Sequence, residues 1–119
     1  MAVLTEQELH QLAMNIVGKQ LEDDGFEFLA VNSKLKKNPQ FVALKSKQLH
    51  FVVVRAVRYP DNPSDYDAKV IDQVKSHADK FEAITHFAGV GLANSEDYEQ
   101  PIDSESDYVV NFQGLKLIN

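Results

Sequence analysis

The segment His50-Phe51-Val52-Val53-Val54-Arg55-Ala56-Val57 constrains the fold more than any other. It is apolar on both of its alternations, and a strand with two apolar faces has to lie in the middle of a sheet covered from both sides. The chain therefore reads as α/β, a mixed sheet in two or three layers with helices to cover it. Two helices are available. Thr5 and Glu8 form a capping box, after which Leu9, Leu12, Ala13, Ile16, Val17 and Leu21 recur on one face as far as Gly25, which suits a helix end. Asp67 is placed to cap a second helix with the stripe Val70, Ile71, Val74, Ala78 and Phe81.

The remaining strands follow from short apolar runs. Phe26 to Val31 places Phe26, Phe28 and Ala30 on one side, and Phe41 to Leu44 precedes the central strand across the polar residues Lys45 to Gln48, the length of a hairpin loop. Ile84 to Val90 is a further buried strand whose Gly89-Val90-Gly91 suggests a bend or a close backbone approach. Tyr108 to Phe112 and Leu115 to Ile118 complete the set. With 119 residues these elements make one domain, residues 1–119, interrupted by an acidic loop at 95–107.

Charge is segregated along the chain. From Phe28 to Pro60 there are seven basic residues and no acid, whereas the 95–107 loop holds six acids and no base. Lys34, Lys36, Lys37, Lys45, Lys47 and Arg58 are candidates for a polyanion or partner surface, and the acidic loop is expected to meet the basic segment within the chain or across a dimer. With formal charge −6, tight nucleic-acid binding is not expected. The favoured partner is another protein or a second copy of the chain.

Several chemistries are excluded or unsupported. The chain has no Cys, which removes disulfides, thiolate zinc sites, Cys-ligated iron-sulfur clusters and a cysteine nucleophile. Ser33, Ser46 and Ser64 lack an elbow motif, and the glycine pair lacks the rest of a dinucleotide fingerprint. His10, His50, His77 and His86 share no short ligand spacing, so each is expected to be there by chance or as a satisfied core residue, with His77 partly buried and hydrogen-bonded on the second helix. No cofactor is expected. The start of the chain has no basic, apolar leader, and no stretch is apolar for long enough to span a membrane, so the expected location is the cytoplasm. Tyr59-Pro60-Asp61-Asn62-Pro63 reads as a rigid turn presenting Tyr59 and Asp61 at the end of the central strand.

The run "GFEFLAVNSKLKKNPQFVALKSKQLHFVVVRAV" resembles the restriction-endonuclease-like fold of the Asp...Glu-x-Lys nucleases, and most closely small bacterial proteins related to archaeal-type junction resolvases. Gly25, Phe26, Phe28, Leu29 and Asn32 match that family's first-strand phrase, and Phe51, Val52 and Val54 its third. The resemblance implies a sheet carrying metal-binding carboxylates at the strand ends, with a Lys beside them. In this chain the Asp position falls around Gln40, the Glu position is Val53 and the Lys position is Arg55; the candidates for substitute carboxylates are Glu22 and Glu27, which lie nearby in sequence. The resemblance thus implies a nuclease-like scaffold without the nuclease site, a non-catalytic binding or interaction module rather than an enzyme. A residual nuclease is the alternative.

The phrases "NIVGK", "FEFLAVNS", "YPDNP" and "GVGLAN" are also similar to those of bacterial chains named as the F component, a flavoprotein, of the sodium-translocating NADH-quinone reductase. That similarity implies an electron-transfer role, one whose iron-sulfur cysteines have no counterpart here.

Overall fold

The computed structural model describes residues 2–35 and 37–118. Its elements run α1 (Glu6–Asp23), β1 (Glu27–Val31), β2 (Phe41–Lys45), β3 (Gln48–Arg58), α2 (Ala68–Lys80), β4 (Ile84–Asn94), β5 (Tyr108–Phe112) and β6 (Lys116–Ile118). They build a six-stranded sheet of order β1-β2-β3-β4-β5, with β6 beside β4 as well. β3 and β4 are parallel, joined through α2, and every other pairing is antiparallel. β4 shares its outer edge between two strands: β6 takes Thr85 to Phe87 and β5 takes Val90 to Asn94.

The two alternations of β3 feed two cores. Val52 and Val54 pack with Leu9, Ala13, Val17 and Leu21 of α1, while Phe51 and Val53 pack with Ile71, Val74 and Ala78 of α2. One helix lies on each face, so the architecture has three layers. Val53 is 1% exposed, and burial of such a side chain contributes roughly 1.5–3 kcal/mol.

Local chemistry sets the helix limits. The Thr5 side chain accepts from the Glu8 backbone N–H and the Glu8 carboxylate accepts from Thr5 N–H, closing the capping box. Gly25, at φ +88, lets the chain turn so that Phe26 N–H donates to Leu21 O at 3.0 Å. Asp67 caps α2 by accepting from Lys69 and Val70 N–H.

Four sequence expectations are corrected. The α1 stripe is rotated slightly: His10 and Met14 are buried, whereas Leu12 and Ile16 are only half-buried. In β1 a bulge between Phe28 and Ala30 reverses the alternation, so Val31 instead of Ala30 shares a side with Phe28. The hairpin turn is two residues long, Ser46 and Lys47, both at positive φ (51° and 64°), a combination whose twist matches that of the flanking strands. Phe81 lies beyond the last turn of α2 as its C-cap and is 57% exposed.

Candidate functional site

Parallel strands in an open α/β sheet place a crevice at their carboxyl ends, and here those ends are Arg58 of β3 and Asn94 of β4. After Arg58 the chain folds back across β4. Tyr59 N–H donates to Leu92 O at 3.1 Å, Asp61 N–H to Arg58 O at 2.9 Å, and the Asn62 side chain accepts from Ser64 N–H. This turn lies directly on the strand. A Cβ at Gly89 would fall 1.7 Å from Pro63 O, and one at Gly91 would meet the Pro63 ring at 3.3 Å. The glycine pair therefore serves close backbone approach, and β4 runs on without interruption to Asn94.

Between the turn, β4 and β5 opens a cleft of about 440 Å³, walled by Tyr59, Asp61, Tyr98, Val109 and Asn111. A second lobe of about 310 Å³ lies on the other side of Tyr59 and Tyr98 and is bordered by Arg58 and Glu99. The two tyrosine rings meet edge to face at 5.4 Å, and each is about half exposed. Tyr59 and Asp61 thus stand where the turn motif places them.

The acidic loop forms one rim. It is pinned by Ile102, which is 3% exposed, and by Asn94, whose side chain donates to Pro101 O and accepts from Glu96 N–H. Asp103 accepts from the backbone N–H of Glu105 and Ser106, and these bonds hold its carboxyl below the ordinary range. Within the chain, the expected meeting of this loop with the basic segment is largely replaced. The loop packs on the amino-terminal stretch, with Leu4 N–H donating to Ile102 O and Ser104 N–H to Ala2 O, and Arg58 alone of the described basic segment borders the same lobe. Among the described residues the ion pairs are Lys19–Asp23 and Lys75–Asp79, both within helices.

Gln40, Val53 and Arg55, singled out in the sequence by the resemblance, lie close together. Gln40 is fully buried. Its Oε1 accepts from Val54 N–H at 2.8 Å, and its Nε2 donates to Asn38 Oδ1 at 2.9 Å and to Lys37 O at 3.2 Å. The side chain thereby supplies the acceptor for β3 just before the chain enters β2. Arg55 donates to Val54 O at 2.8 Å and to Asn38 Oδ1 at 2.9 Å; burial lowers its pKa, while the charge of Asp67 acts in the opposite sense. Val53 is roofed by α2. The amide and guanidinium are engaged in holding the 37–40 turn on the sheet.

The basic candidates are divided. Lys45 and Lys47 lie at the β2–β3 turn, with Lys45 Nζ 5.0 Å from the centre of the Phe26 ring. Lys34 and Lys37 precede the opposite end of β2, a strand length of roughly 17 Å away, and Arg58 ends β3. Lys36 lies outside the described residues.

Sequence spacing missed a histidine pair. Parallel register sets Val52 beside His86 and His50 beside Ile84, so the two imidazoles become diagonal neighbours, with His50 Nδ1 and His86 Nε2 2.9 Å apart. The 5.1 Å between centroids is taken up by this contact and the two ring radii, so the rings meet end to end. His86 Nδ1 is buried without a partner. A proton there would be an orphaned donor, which places the His86 proton on Nε2, donating to His50 Nδ1. Burial first, then the proximity of His50, pushes His86 down to about 4; burial and Lys45 lower His50. No sequence signal marks the pair, because the two residues are far apart and only sheet register joins them.

His10 is fully buried with neither ring nitrogen hydrogen-bonded in the protein, and burial together with the charge of Arg55 lowers its pKa. His77 is exposed, contrary to expectation, because it sits on the flank of α2 against Phe51 and Phe81 at 5.9 and 5.1 Å. Among the described residues, no three His, Asp or Glu side chains come together to hold a metal ion, and no helix is long and apolar enough to cross a membrane.

These features define a three-layer α/β domain with an aromatic cleft at the carboxyl ends of its parallel strands. Residues 7–118 match the model of the family described as Domain of unknown function (DUF8840), and the chain belongs to that family. No curated protein and no solved structure matches it.

Proposed function

We propose that the chain is a non-catalytic interaction module on a restriction-endonuclease-like sheet, and that its cleft takes a cationic segment of a partner protein. The observation that carries the non-catalytic part is Gln40: where metal-dependent cleavage requires a carboxylate, both polar ends of a buried amide are consumed in bonds within the chain. The neighbouring Val53 offers no ligand.

The chemistry of the cleft selects the ligand class. Asp61 stands in the first lobe and the acidic loop forms the rim, while Glu99 shares the second lobe with Arg58, so a Lys or Arg side chain meets complementary charge in the first lobe. Its cation can also sit against the exposed rings of Tyr59 and Tyr98. A phosphate backbone fits less well. Its contacts depend on a continuous basic track, and the lysines are parted between the two ends of β2.

Fluorescence anisotropy with a labelled Lys/Leu-alternating peptide, its Glu/Leu counterpart and a single-stranded oligonucleotide tests the reading. The basic peptide is expected to bind, the acidic one not to, and Tyr59→Ala or Tyr98→Ala to weaken binding by about tenfold. Tight, salt-sensitive oligonucleotide binding would overturn the ligand class. Cleavage of DNA in Mg²⁺ or Mn²⁺, lost on changing Glu22 or Glu27, would overturn the non-catalytic assignment. Val53→Glu alone should not create cleavage, because Gln40 remains neutral.

A further inference from the structure

The sheet has two edges, and only one is protected against further pairing. β1 carries a charge at Glu27 and a bulge between Phe28 and Ala30, both of which discourage another strand. β5 has neither device. Tyr108-Val109-Val110-Asn111-Phe112 contains no charge and no proline, pairs with β4 in unbroken register, and leaves Tyr108, Val109 and Val110 40%, 37% and 45% exposed.

We propose that β5 pairs antiparallel with β5 of a second copy of this chain about a two-fold axis at Val110, joining the two sheets into one. The occupant follows from how charge falls in that register. Tyr108 faces Phe112 of the second copy, Val109 faces Asn111, and Asp107 faces Gln113, so no like charges oppose one another along the strand. Beyond that pair, the antiparallel arrangement sets the β6 end of one copy, which carries Lys116, on the side of the other's acidic loop. Parallel pairing would instead set each acidic loop, with its six carboxylates, against its twin. An axis perpendicular to the sheet leaves both tyrosine clefts on the same side of the assembly.

A five-residue strand pair is a small interface, so the dissociation constant should be on the order of 10 µM. Sedimentation equilibrium of the full chain across that concentration is expected to show monomer and dimer. Because Val110 faces itself at the axis, Val110→Lys and Val110→Glu should each be monomeric, and their equimolar mixture should form a heterodimer visible by native mass spectrometry. Tyr108→Lys, away from the axis, should weaken the dimer as a second variant, and circular dichroism checks that each variant is folded. A wild-type chain that is monomeric throughout overturns the proposal. A dimer that survives both Val110 variants, or variants that fail to combine, overturns it equally. The result is independent of the cleft reading, since no peptide is present.

Discussion

The same two parallel strands end in opposite ways. At their carboxyl ends, β3 and β4 lie under a turn whose backbone touches backbone, and the side chains left over, Tyr59 and Tyr98, point into an open cleft. At their amino ends, His50 and His86 turn their polar atoms toward each other, the Phe26 ring lies edge-on against His50 at 5.0 Å, and one nitrogen is sealed off altogether. One end directs its polar and aromatic groups outward and the other directs them inward. Exposure, rather than residue type, separates a surface available to a partner from an internal support.

The largest effect should come from breaking the backbone contact at the carboxyl end. Gly89→Ala forces a methyl group to within 1.7 Å of Pro63 O, with Phe87 at 2.9 Å on another side, so neither the strand nor the turn can stay in place. We expect a loss of about 3 kcal/mol or more, read as a urea midpoint shift, together with loss of the cleft. A Gly89→Ala protein of wild-type stability would show that the turn does not rest on β4.

Next in size is Gln40→Ala, which leaves the buried Val54 N–H without its acceptor and Arg55 without one of its anchors. The expected cost is about 2 kcal/mol. Gln40→Glu keeps the acceptor for Val54 N–H and the charge partner for Arg55, but it sets a carboxylate oxygen against Lys37 O and Asn38 Oδ1 in place of the amide donor, so it should destabilise as well. A Gln40→Ala protein of wild-type stability would mean that the polar bonds at this position contribute little.

The closed amino end should lose stability as pH falls. The folded pKa of His86 is lowered to about 4, so between about 6.5 and 4 the unfolded chain binds protons that the folded chain refuses. Stability is therefore complete above about pH 6.5 and falls as pH drops through this window, by ~1–2 kcal/mol after solvent screening at this half-open site is allowed for. His10, also lowered by burial, acts in the same sense. The variant His50→Gln/His86→Gln should lose part of the slope between pH 7 and 4.5, and an unchanged slope would remove the pair as its source.

The smallest effect sharpens the contrast. Tyr59→Ala and Tyr98→Ala should alter stability least, by about 0.5 kcal/mol, because each side chain is about half exposed at the cleft. Large destabilisation by either would recast the tyrosines as structural.

The sequence by itself determined the elements whose signal is local: the Thr5 capping box, the Asp67 cap, the two-sided apolarity that puts Val53 in the centre, and the acidic loop whose limits, 95 and 107, coincide with the end of β4 and the start of β5. It also brought Tyr59 and Asp61 to the cleft, because a proline-rich turn has nowhere to go but the strand end that precedes it. Tertiary structure alone decided what depends on register between distant segments. The bulge that moves Ala30 off its expected side, the imidazole contact between His50 and His86, the amide of Gln40 standing in for a ladder acceptor and the retreat of the acidic loop onto residues 2–4 each join positions that no local period relates. Local patterns report which face a residue takes, but which residue lies across from it is set only when the whole sheet closes on its two helices.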